Sequence, residues 1–232
     1  EPLGTGPGPG LVALDHLARL QVQLHRSHVP PLGPFEPVLQ TVDDAADQLI
    51  LGPIPLFKAI LDGLPGQLVL PSIDAALSAG TWEEGDVLFL VGPCNPSLAG
   101  SRYLLSQGKL AGRPLPFYPE AEKDFVERAL KTASAKAAHS GRALSGGGLA
   151  AALAKESMES GIGASISLSI PTRKDILLFG EGCARALYAV PMSRVPRLKV
   201  LWNGYPCIQL GRVGGERLSV EGAFSLTVSE LL

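Results

Sequence analysis

The sequence predicts an α+β fold, in which helices cover one mixed β-sheet and a partly helical N-terminal extension precedes it. Hydrophobic residues make up 46% of the 232 residues and charged residues 18%, a composition that supports a packed core. Apolar runs of strand length alternate along most of the chain with longer segments of helical periodicity. The 27 glycines and 20 prolines cluster between these segments, where they are expected to end helices and strands.

The first 67 residues are expected to form an extension, followed by a domain at residues 68–232. Residues 1–10 contain four glycines and three prolines, a composition typical of a linker arm. Leucines then recur at three- and four-residue steps over residues 11–27, which predicts an amphipathic helix. Shorter helices are expected near residues 43–51 and 56–61.

The predicted domain begins with strands that alternate with helices. Strands are expected at residues 67–70 and 87–91, because both runs are short and apolar. Helices are expected at residues 98–107, 120–138 and 149–160.

The rest of the predicted domain is richer in strands. Residues 164–170 alternate serine with small or apolar residues, the pattern of a half-buried strand. Further strands are expected at residues 176–179, 187–190, 207–212 and 217–220. A single sheet with helices packed on it would bury all of these apolar segments.

Composition and charge exclude several classes of function. The 20 Lys and Arg residues balance 22 Asp and Glu residues, so no global positive field favours general nucleic-acid binding. No apolar run approaches the roughly 20 residues of a membrane-spanning helix, so no membrane association is expected. Cys94, Cys183 and Cys207 are odd in number and form no CxxC pair, which favours an intracellular, reducing compartment.

The most informative segment is Ser140-Gly-Arg-Ala-Leu-Ser-Gly-Gly-Gly-Leu149, which leads into a predicted helix. Small residues before a helix allow backbone N–H groups to approach an anion, which the helix dipole also favours. The spacing matches neither of the common glycine-rich nucleotide motifs. The segment by itself therefore indicates either an anion site or a tight turn packed against the sheet.

This segment resembles the Gly-His-Asp-Val-Ser-Asp-Gly-Gly-Leu motif of the PurM-like, aminoimidazole ribonucleotide synthetase superfamily, in particular of formylglycinamide ribonucleotide amidotransferase. Five further blocks resemble that family's C-terminal half-domain in the same order: Glu84-Gly-Asp-Val-Leu-Phe-Leu90, Leu98-Ala-Gly-Ser-Arg-Tyr103, Gly161-Ile-Gly-Ala164, Leu178-Phe-Gly-Glu-Gly-Cys-Ala-Arg185 and Leu210-Gly-Arg-Val-Gly214. The closing Leu226-Thr-Val-Ser-Glu-Leu231 is similar to the family's final element. The resemblance covers residues 68–232 and implies the fold of that half-domain.

The chain departs from the family motif at its polar positions. Arg142, Ala143 and Gly146 stand where the family has His, Asp and a second Asp. Neither Ala nor Gly can ligate a metal or orient a donor as a carboxylate does. The residues that remain from the motif blocks as site candidates are Arg142, Ser145, Gly146, Gly147, Gly148, Glu181 and Arg185.

These losses predict a non-catalytic domain, with no catalytic residue, no metal ligand and no cofactor. We expect a protein-interaction or structural module within a larger polypeptide or assembly, comparable to the gammaherpesvirus tegument proteins that resemble the amidotransferase. The alternative is one domain of an active ATP-dependent formylglycinamide ribonucleotide amidotransferase of purine biosynthesis, with ATP and Mg²⁺ as cofactors. A second alternative is a structural subunit of a large assembly.

A protein partner is expected to bind aromatic and basic residues in loop-like contexts. Aromatic and arginine side chains are typical of interface hot spots. The candidates are Trp82, Tyr118, Trp202, Tyr205, Arg194 and Arg197. His139 is expected near a carbonyl at a helix end, and Cys94 is expected to pack as a small hydrophobic residue.

Overall fold

A seven-stranded mixed sheet organises the part of the chain that this computed structural model describes, which is residues 76–109, 111–113 and 115–232. The predicted extension at residues 1–67 and the strand predicted at residues 67–70 lie outside the described residues. The α+β fold class is confirmed for the remainder.

The helices and strands are numbered in chain order. They are β1 (Val87–Val91), α1 (Arg102–Ser106), α2 (Pro119–Ser134), β2 (Ser140–Ala143), α3 (Gly148–Ser160), β3 (Ala164–Ile166), α4 (Lys174–Phe179), β4 (Ala186–Val190), α5 (Val195–Leu201), β5 (Cys207–Val213), β6 (Arg217–Val220), β7 (Phe224–Thr227) and α6 (Val228–Leu231). A 3₁₀ turn, Met192–Arg194, precedes α5.

The strands follow the order β2-β4-β1-β5-β3-β6-β7 across the sheet. Neighbouring strands are antiparallel except for β3 and β6, which are parallel. Strand β1 lies between β4 and β5, and all five of its residues are buried. The central strand is therefore continuous and apolar because both of its faces are covered.

Alternation along β1 divides the core into two layers. Leu88 and Leu90 belong to a cluster with apolar residues of α3 and α4, whereas Phe89 belongs to a second cluster with residues of α2 and α5. The Trp202 ring lies in the second cluster, 5.9 Å from the Tyr188 ring. Packed helices thus cover both faces of the sheet.

Several predicted elements agree with the structure, with shifts at their ends. The predicted strands at residues 87–91 and 217–220 match β1 and β6. The helix predicted at residues 98–107 begins only at Arg102, because the Ser101 side chain caps its N-terminus by accepting from Leu104 N–H. The helix predicted at residues 120–138 ends at Ser134, just before Lys136 adopts a left-handed backbone with φ of 47°.

The strand predicted at residues 176–179 is wrong, because this segment belongs to helix α4. Its last three residues, Leu177 to Phe179, are all buried, so the segment is apolar on every side. Such a run does not distinguish a buried strand from a buried helix. The strand predicted at residues 164–170 ends already at Ile166.

Four elements were not predicted as a strand or helix: β2, α5, β7 and α6. Strand β2 pairs only with β4 and forms an edge of the sheet, and its polar residues Ser140 and Arg142 conceal the strand pattern. Helix α5 is short and begins next to Pro196, in a segment that reads as a turn.

No helix in the described part of the chain has both the length and the apolar character needed to cross a bilayer.

Candidate functional site

Three of the sequence blocks meet at the carboxylate of Glu181. Its Oε1 accepts a hydrogen bond from Gly147 N–H at 2.9 Å and another from Arg102 N–H at 2.8 Å. The backbone of Glu181 also exchanges two hydrogen bonds with Ser97, at 2.8 and 3.0 Å. One carboxylate therefore joins the glycine turn, the start of α1 and the turn at residues 180–185.

The position of Glu181 follows from the way α4 ends. Gly180 N–H donates to the Ile176 carbonyl at 2.8 Å and closes the helix. A Cβ at Gly180 would overlap the Ile176 carbonyl oxygen and the Pro96 ring, so only glycine fits between them. Glu181 thus leaves the helix in extended pairing with the loop that carries Ser97.

The glycine turn is shaped by conformation and by close packing. Gly147 and Gly148 have φ values of 90° and 65°, a left-handed region that L side chains rarely adopt. A Cβ at Gly148 would also lie 2.7 Å from the Gly180 carbonyl oxygen and 2.8 Å from that of Leu178. The turn therefore brings the N-terminus of α3 directly against the C-terminal end of α4.

The anion that this turn receives is a side chain of the protein itself. Gly147 N–H, which precedes the first residue of α3, donates to Glu181, and the helix dipole favours a carboxylate at that end. The glycine segment thus forms a tight turn, and the anion bound at its N–H group is the Glu181 carboxylate.

Arg102 is a site residue that sequence reasoning missed. A Cβ at Gly146 would lie 2.5 Å from Arg102 Nε, so the arginine side chain covers the position where the family motif has its second Asp. Arg102 and Ser145 are both exposed, and they place a guanidinium and a hydroxyl at the rim of the site. The available signal was the Leu98-Ala-Gly-Ser-Arg-Tyr103 block, which the structure brings to Glu181.

Arg142 is not part of this cluster and serves the fold instead. Its Nε donates to Glu156 Oε1 at 2.7 Å, and its Nη2 is paired with Glu159. Glu156 Oε2 also accepts from Ser140 Oγ at 2.6 Å and from Gly80 N–H at 3.0 Å. The arginine that replaces the motif histidine is thus engaged in a buried network between β2 and α3.

Arg185 lies close to the glycine turn but is almost completely buried, with 2% of its surface exposed. Its Nη1 donates to the Gly180 carbonyl at 3.1 Å. Burial disfavours the charged form and lowers the pKa of Arg185 to about 10, so the side chain remains a cation at neutral pH. The preceding residue, Ala184, has a left-handed backbone with φ of 53°, a strained conformation of the kind found at functional sites.

Cys94 lies in the loop after β1, near Arg185. Burial raises the pKa of its thiol, and the positive charge of Arg185 offsets part of that rise. Its side chain packs against the larger core cluster, as expected for a small hydrophobic residue. Within the described residues, no group of three or more His, Cys, Asp or Glu side chains could hold a metal ion.

The two tryptophans predicted to bind a partner are core residues, so that prediction is wrong for them. Trp82 and Trp202 are only 4% and 1% exposed. Trp202 Nε1 donates to Thr132 Oγ1 at 3.0 Å, and its ring lies 5.4 Å from that of Tyr205. Their glycine- and proline-flanked segments fold back onto the core, and burial of such large apolar rings is strongly favourable.

The remaining partner candidates lie wholly or partly at the surface. Tyr118 is 63% exposed at the start of α2, and Tyr205 is half-buried under the guanidinium of Arg128. Arg194 and Arg197 are exposed, and Arg194 Nη1 donates to the Lys136 carbonyl. The structure does not bring these four residues to Glu181 through any described contact.

His139 does not end a helix, which corrects that prediction. It lies directly before β2, where its N–H donates to the Ala189 carbonyl at 2.8 Å. Its Nδ1 lies 3.0 Å from the carboxylate of Asp86, a residue that is itself buried. The contact joins the segment before β1 to the sheet edge.

Comparison with known proteins identifies what the chain is similar to. The family model described as AIR synthase related protein, C-terminal domain, matches residues 83–222. The phosphoribosylformylglycinamidine synthase subunit PurL of Anaeromyxobacter dehalogenans (strain 2CP-C) is 39% identical over 163 residues, covering 63% of this chain and 21% of the relative. The PurL subunit of Anaeromyxobacter sp. (strain Fw109-5) is 36% identical over 179 residues, covering 70% of this chain and 23% of the relative.

Solved structures show the same fold. PurL of T. maritima in complex with FGAR superposes with a TM-score of 0.58 at 17% identity, covering 68% of this chain and 29% of that one. PurL of T. maritima in complex with ATP gives a TM-score of 0.54 at 16% identity, with 68% and 27% covered. The chain thus spans less than a third of these proteins.

These similarities bear on the predicted function. They support a domain like that of the phosphoribosylformylglycinamidine synthase subunits. They do not support a tegument-type pseudoenzyme, because these relatives are bacterial synthase subunits. The enzyme-domain alternative agrees with them better than the non-catalytic module does.

Proposed function

Because the chain belongs to the family described as AIR synthase related protein, C-terminal domain, which matches residues 83–222, we propose that it is one domain of an ATP-dependent phosphoribosylformylglycinamidine synthase in purine biosynthesis. The relatives that are 36% to 39% identical to it support this proposal. Since the chain spans only 21% to 23% of those relatives, most of the enzyme's chemistry belongs to the rest of the protein.

The convergence at Glu181 is the observation that carries the proposal. Three blocks that are far apart in the sequence meet at one carboxylate, with separations of 79 residues to Arg102 and 34 residues to Gly147. Glu181 is only partly buried, so this junction lies near the surface of the domain. In the proposed enzyme, Glu181 fixes the glycine turn and the start of α1, and thereby presents Arg102 and Ser145 at the domain surface.

ATP and Mg²⁺ are the proposed cofactors of the complete enzyme, but the described residues do not form a Mg²⁺ site. Ala143 and Gly146 lack the oxygen ligands that Mg²⁺ prefers, and Glu181 Oε1 already accepts two backbone N–H groups. Other parts of the enzyme would therefore hold the metal. The role proposed for this domain is to position residues at its contact with the catalytic part.

A protein partner is also part of the proposal. Tyr118, Arg194 and Arg197 remain the candidates for contacting it, since these side chains are exposed. Aromatic and arginine residues contribute strongly to protein interfaces once they are covered.

The proposal can be tested on the full-length protein that contains this chain. We expect ADP release that depends on formylglycinamide ribonucleotide and on an ammonia source. Glu181→Ala should lower kcat/KM by about tenfold or more, because it releases two elements that position the site. Glu127→Ala, in helix α2 on the opposite side of the sheet, is the matched control and should leave the rate unchanged.

Absence of substrate-dependent ADP release from a folded full-length protein would contradict the proposal. That outcome would favour the non-catalytic module instead. Equal rates for the Glu181 and Glu127 variants would show that the junction has only a structural role.

A further inference from the structure

Arg185 has two buried donors without a partner. Its Nε and Nη2 are inaccessible to solvent and form no hydrogen bond with any described residue. Buried donors of this kind are rare in folded proteins and destabilise the native state when they stay unsatisfied, more so in a charged group. Arg185 therefore has two N–H donors available to bind an acceptor.

The charge of Arg185 is also unmatched. Arg142, the other buried arginine of this sheet region, is paired with both Glu156 and Glu159. Among the described residues, no carboxylate forms an ion pair with Arg185. A buried cation is strongly unfavourable until an anion or a full set of acceptors compensates it.

The positions of the unpartnered Nε and Nη2 atoms determine which ligand can accept hydrogen bonds from both. Nη1 is occupied by the Gly180 carbonyl. Nε and Nη2 share the other edge of the planar guanidinium, and their N–H groups point in parallel. This edge can donate to two oxygens of one oxyanion at once. A lysine ammonium, which is a compact point charge, cannot reproduce that paired geometry.

The surroundings are compatible with such a ligand. The loop that carries Cys94 packs directly on this turn, because a Cβ at Gly92 would lie 2.9 Å from Arg185 Cα. Cys94 is only half-buried, and the positive charge of Arg185 offsets part of the rise that burial causes in its thiol pKa. Glu181 forms no described ion pair with Arg185, and its Oε1 accepts from Gly147 and Arg102. Arg185 follows directly after the left-handed Ala184 in this turn.

We propose that Arg185 anchors a binding site for a small oxyanion, a phosphate group or a carboxylate, between the turn at residues 180–185 and the loop that carries Cys94. The site does not depend on the synthase activity proposed above. An occupied site would neutralise the buried cation and lock the turn that also carries Glu181.

The test is a titration of the chain with inorganic phosphate, and in parallel with acetate, at constant ionic strength maintained with chloride. If the site binds, the unfolding temperature should rise with phosphate and saturate, because a ligand of the native state stabilises it. Alkylation of Cys94 by iodoacetamide, followed by peptide mass spectrometry, should slow at least about threefold at saturation. Cys207 is a free, partly exposed thiol at the start of β5 that packs against the opposite core cluster, so it serves as the internal reference and should react at an unchanged rate.

Arg185→Lys retains the charge but loses the guanidinium edge, so the apparent affinity for phosphate should fall about tenfold or more. Arg212→Lys, at an exposed position in β5, is the control and should bind as the parent protein does. A response to acetate equal to that for phosphate would identify a carboxylate-type ligand, and a stronger response to phosphate would identify a phosphate group.

The proposal is overturned if phosphate and acetate act no differently from chloride, or if Arg185→Lys responds as the parent protein does. Should Arg185→Lys fail to fold, protection of Cys94 in the parent protein decides the question, and its absence overturns the site. These measurements need no enzymatic activity, so failure of the proposed function would leave them unaffected.

Discussion

The two buried arginines differ in how their charge is compensated. Arg142 is matched by Glu156 at 2.7 Å and by Glu159, and its network includes Ser140 and Gly80. The side chain of Arg185 forms one described hydrogen bond, to the Gly180 carbonyl. The same residue type therefore stabilises the fold at one position and, in the site proposed above, binds an oxyanion at the other.

Replacement of each arginine by methionine should separate these roles. Arg142→Met leaves the 1% exposed Glu156 without its cation, so the free energy of unfolding should fall by about 3–5 kcal/mol. Arg185→Met removes a cation with no partner, so stability in phosphate-free buffer should stay within about 1 kcal/mol of the parent or increase. Urea unfolding followed by circular dichroism measures both, and equal losses would contradict the distinction.

Sequence alone identified Arg142 as unusual but could not give its contacts. Its position opposite the family histidine suggested a remnant of a site. Its partners lie on α3, 14 and 17 residues further along the chain, and only the packing of that helix on β2 brings them within reach.

Among the elements, the contact between α3 and α4 organises the site. Gly148 allows the two helices to approach, because any side chain there would press on the Leu178 and Gly180 carbonyls. Glu181 follows α4 directly, so the approach of the helices also sets the distance from its carboxylate to Gly147. The glycine turn is thus a packing device and a support for the junction.

Two glycines at the ends of α3 provide a matched pair for testing this contact: Gly148 is its first residue and Gly161 directly follows its last. Gly148 and Gly161 have similar φ values, 65° and 72°, but a Cβ at Gly161 would meet nothing within 4 Å. Gly161→Ala should cost about 1–2 kcal/mol from backbone strain alone. Gly148→Ala should cost about 1–3 kcal/mol more, because it adds a steric overlap. Thermal or urea unfolding measures the loss of stability in each variant. Similar losses for Gly148→Ala and Gly161→Ala would show that α3 and α4 can move apart to accommodate the added methyl group.

At this scale, the sequence patterns succeeded where the length and composition of an apolar segment distinguish a strand from a helix, and failed where they do not. Strand β1 and helix α3 were predicted close to their observed bounds. Helix α4 was mistaken for a strand because burial on all sides removes its periodicity. Strand β2 was missed because an edge position tolerates polar residues and glycine.

In the described domain as a whole, the sheet separates two apolar layers that share the central strand β1. Leu88 faces the layer that contains the glycine turn, and Phe89 faces the layer built around Trp202. Because β1 contributes side chains to both layers, a substitution that disrupts the packing of one layer should also destabilise the other.

Truncation on either side of β1 should therefore unfold the described domain as one unit. Leu88→Ala should cost about 2–5 kcal/mol and Phe89→Ala about 3–5 kcal/mol, since both side chains are completely buried. Tryptophan fluorescence and far-UV circular dichroism should give coincident unfolding transitions in both variants. Separate transitions in either variant would show that the layers unfold independently.

The sequence by itself determined the α+β class, the order of the motif blocks and the family resemblance. These depend on short-range patterns, because strand length, helical periodicity and glycine turns are expressed over a few neighbouring residues. Only the tertiary structure decided that Trp82 and Trp202 are core residues, that Arg142 is paired internally and that Arg185 is not. Those outcomes depend on contacts such as Trp202 with Thr132, 70 residues apart, which form only when the sheet brings distant segments together.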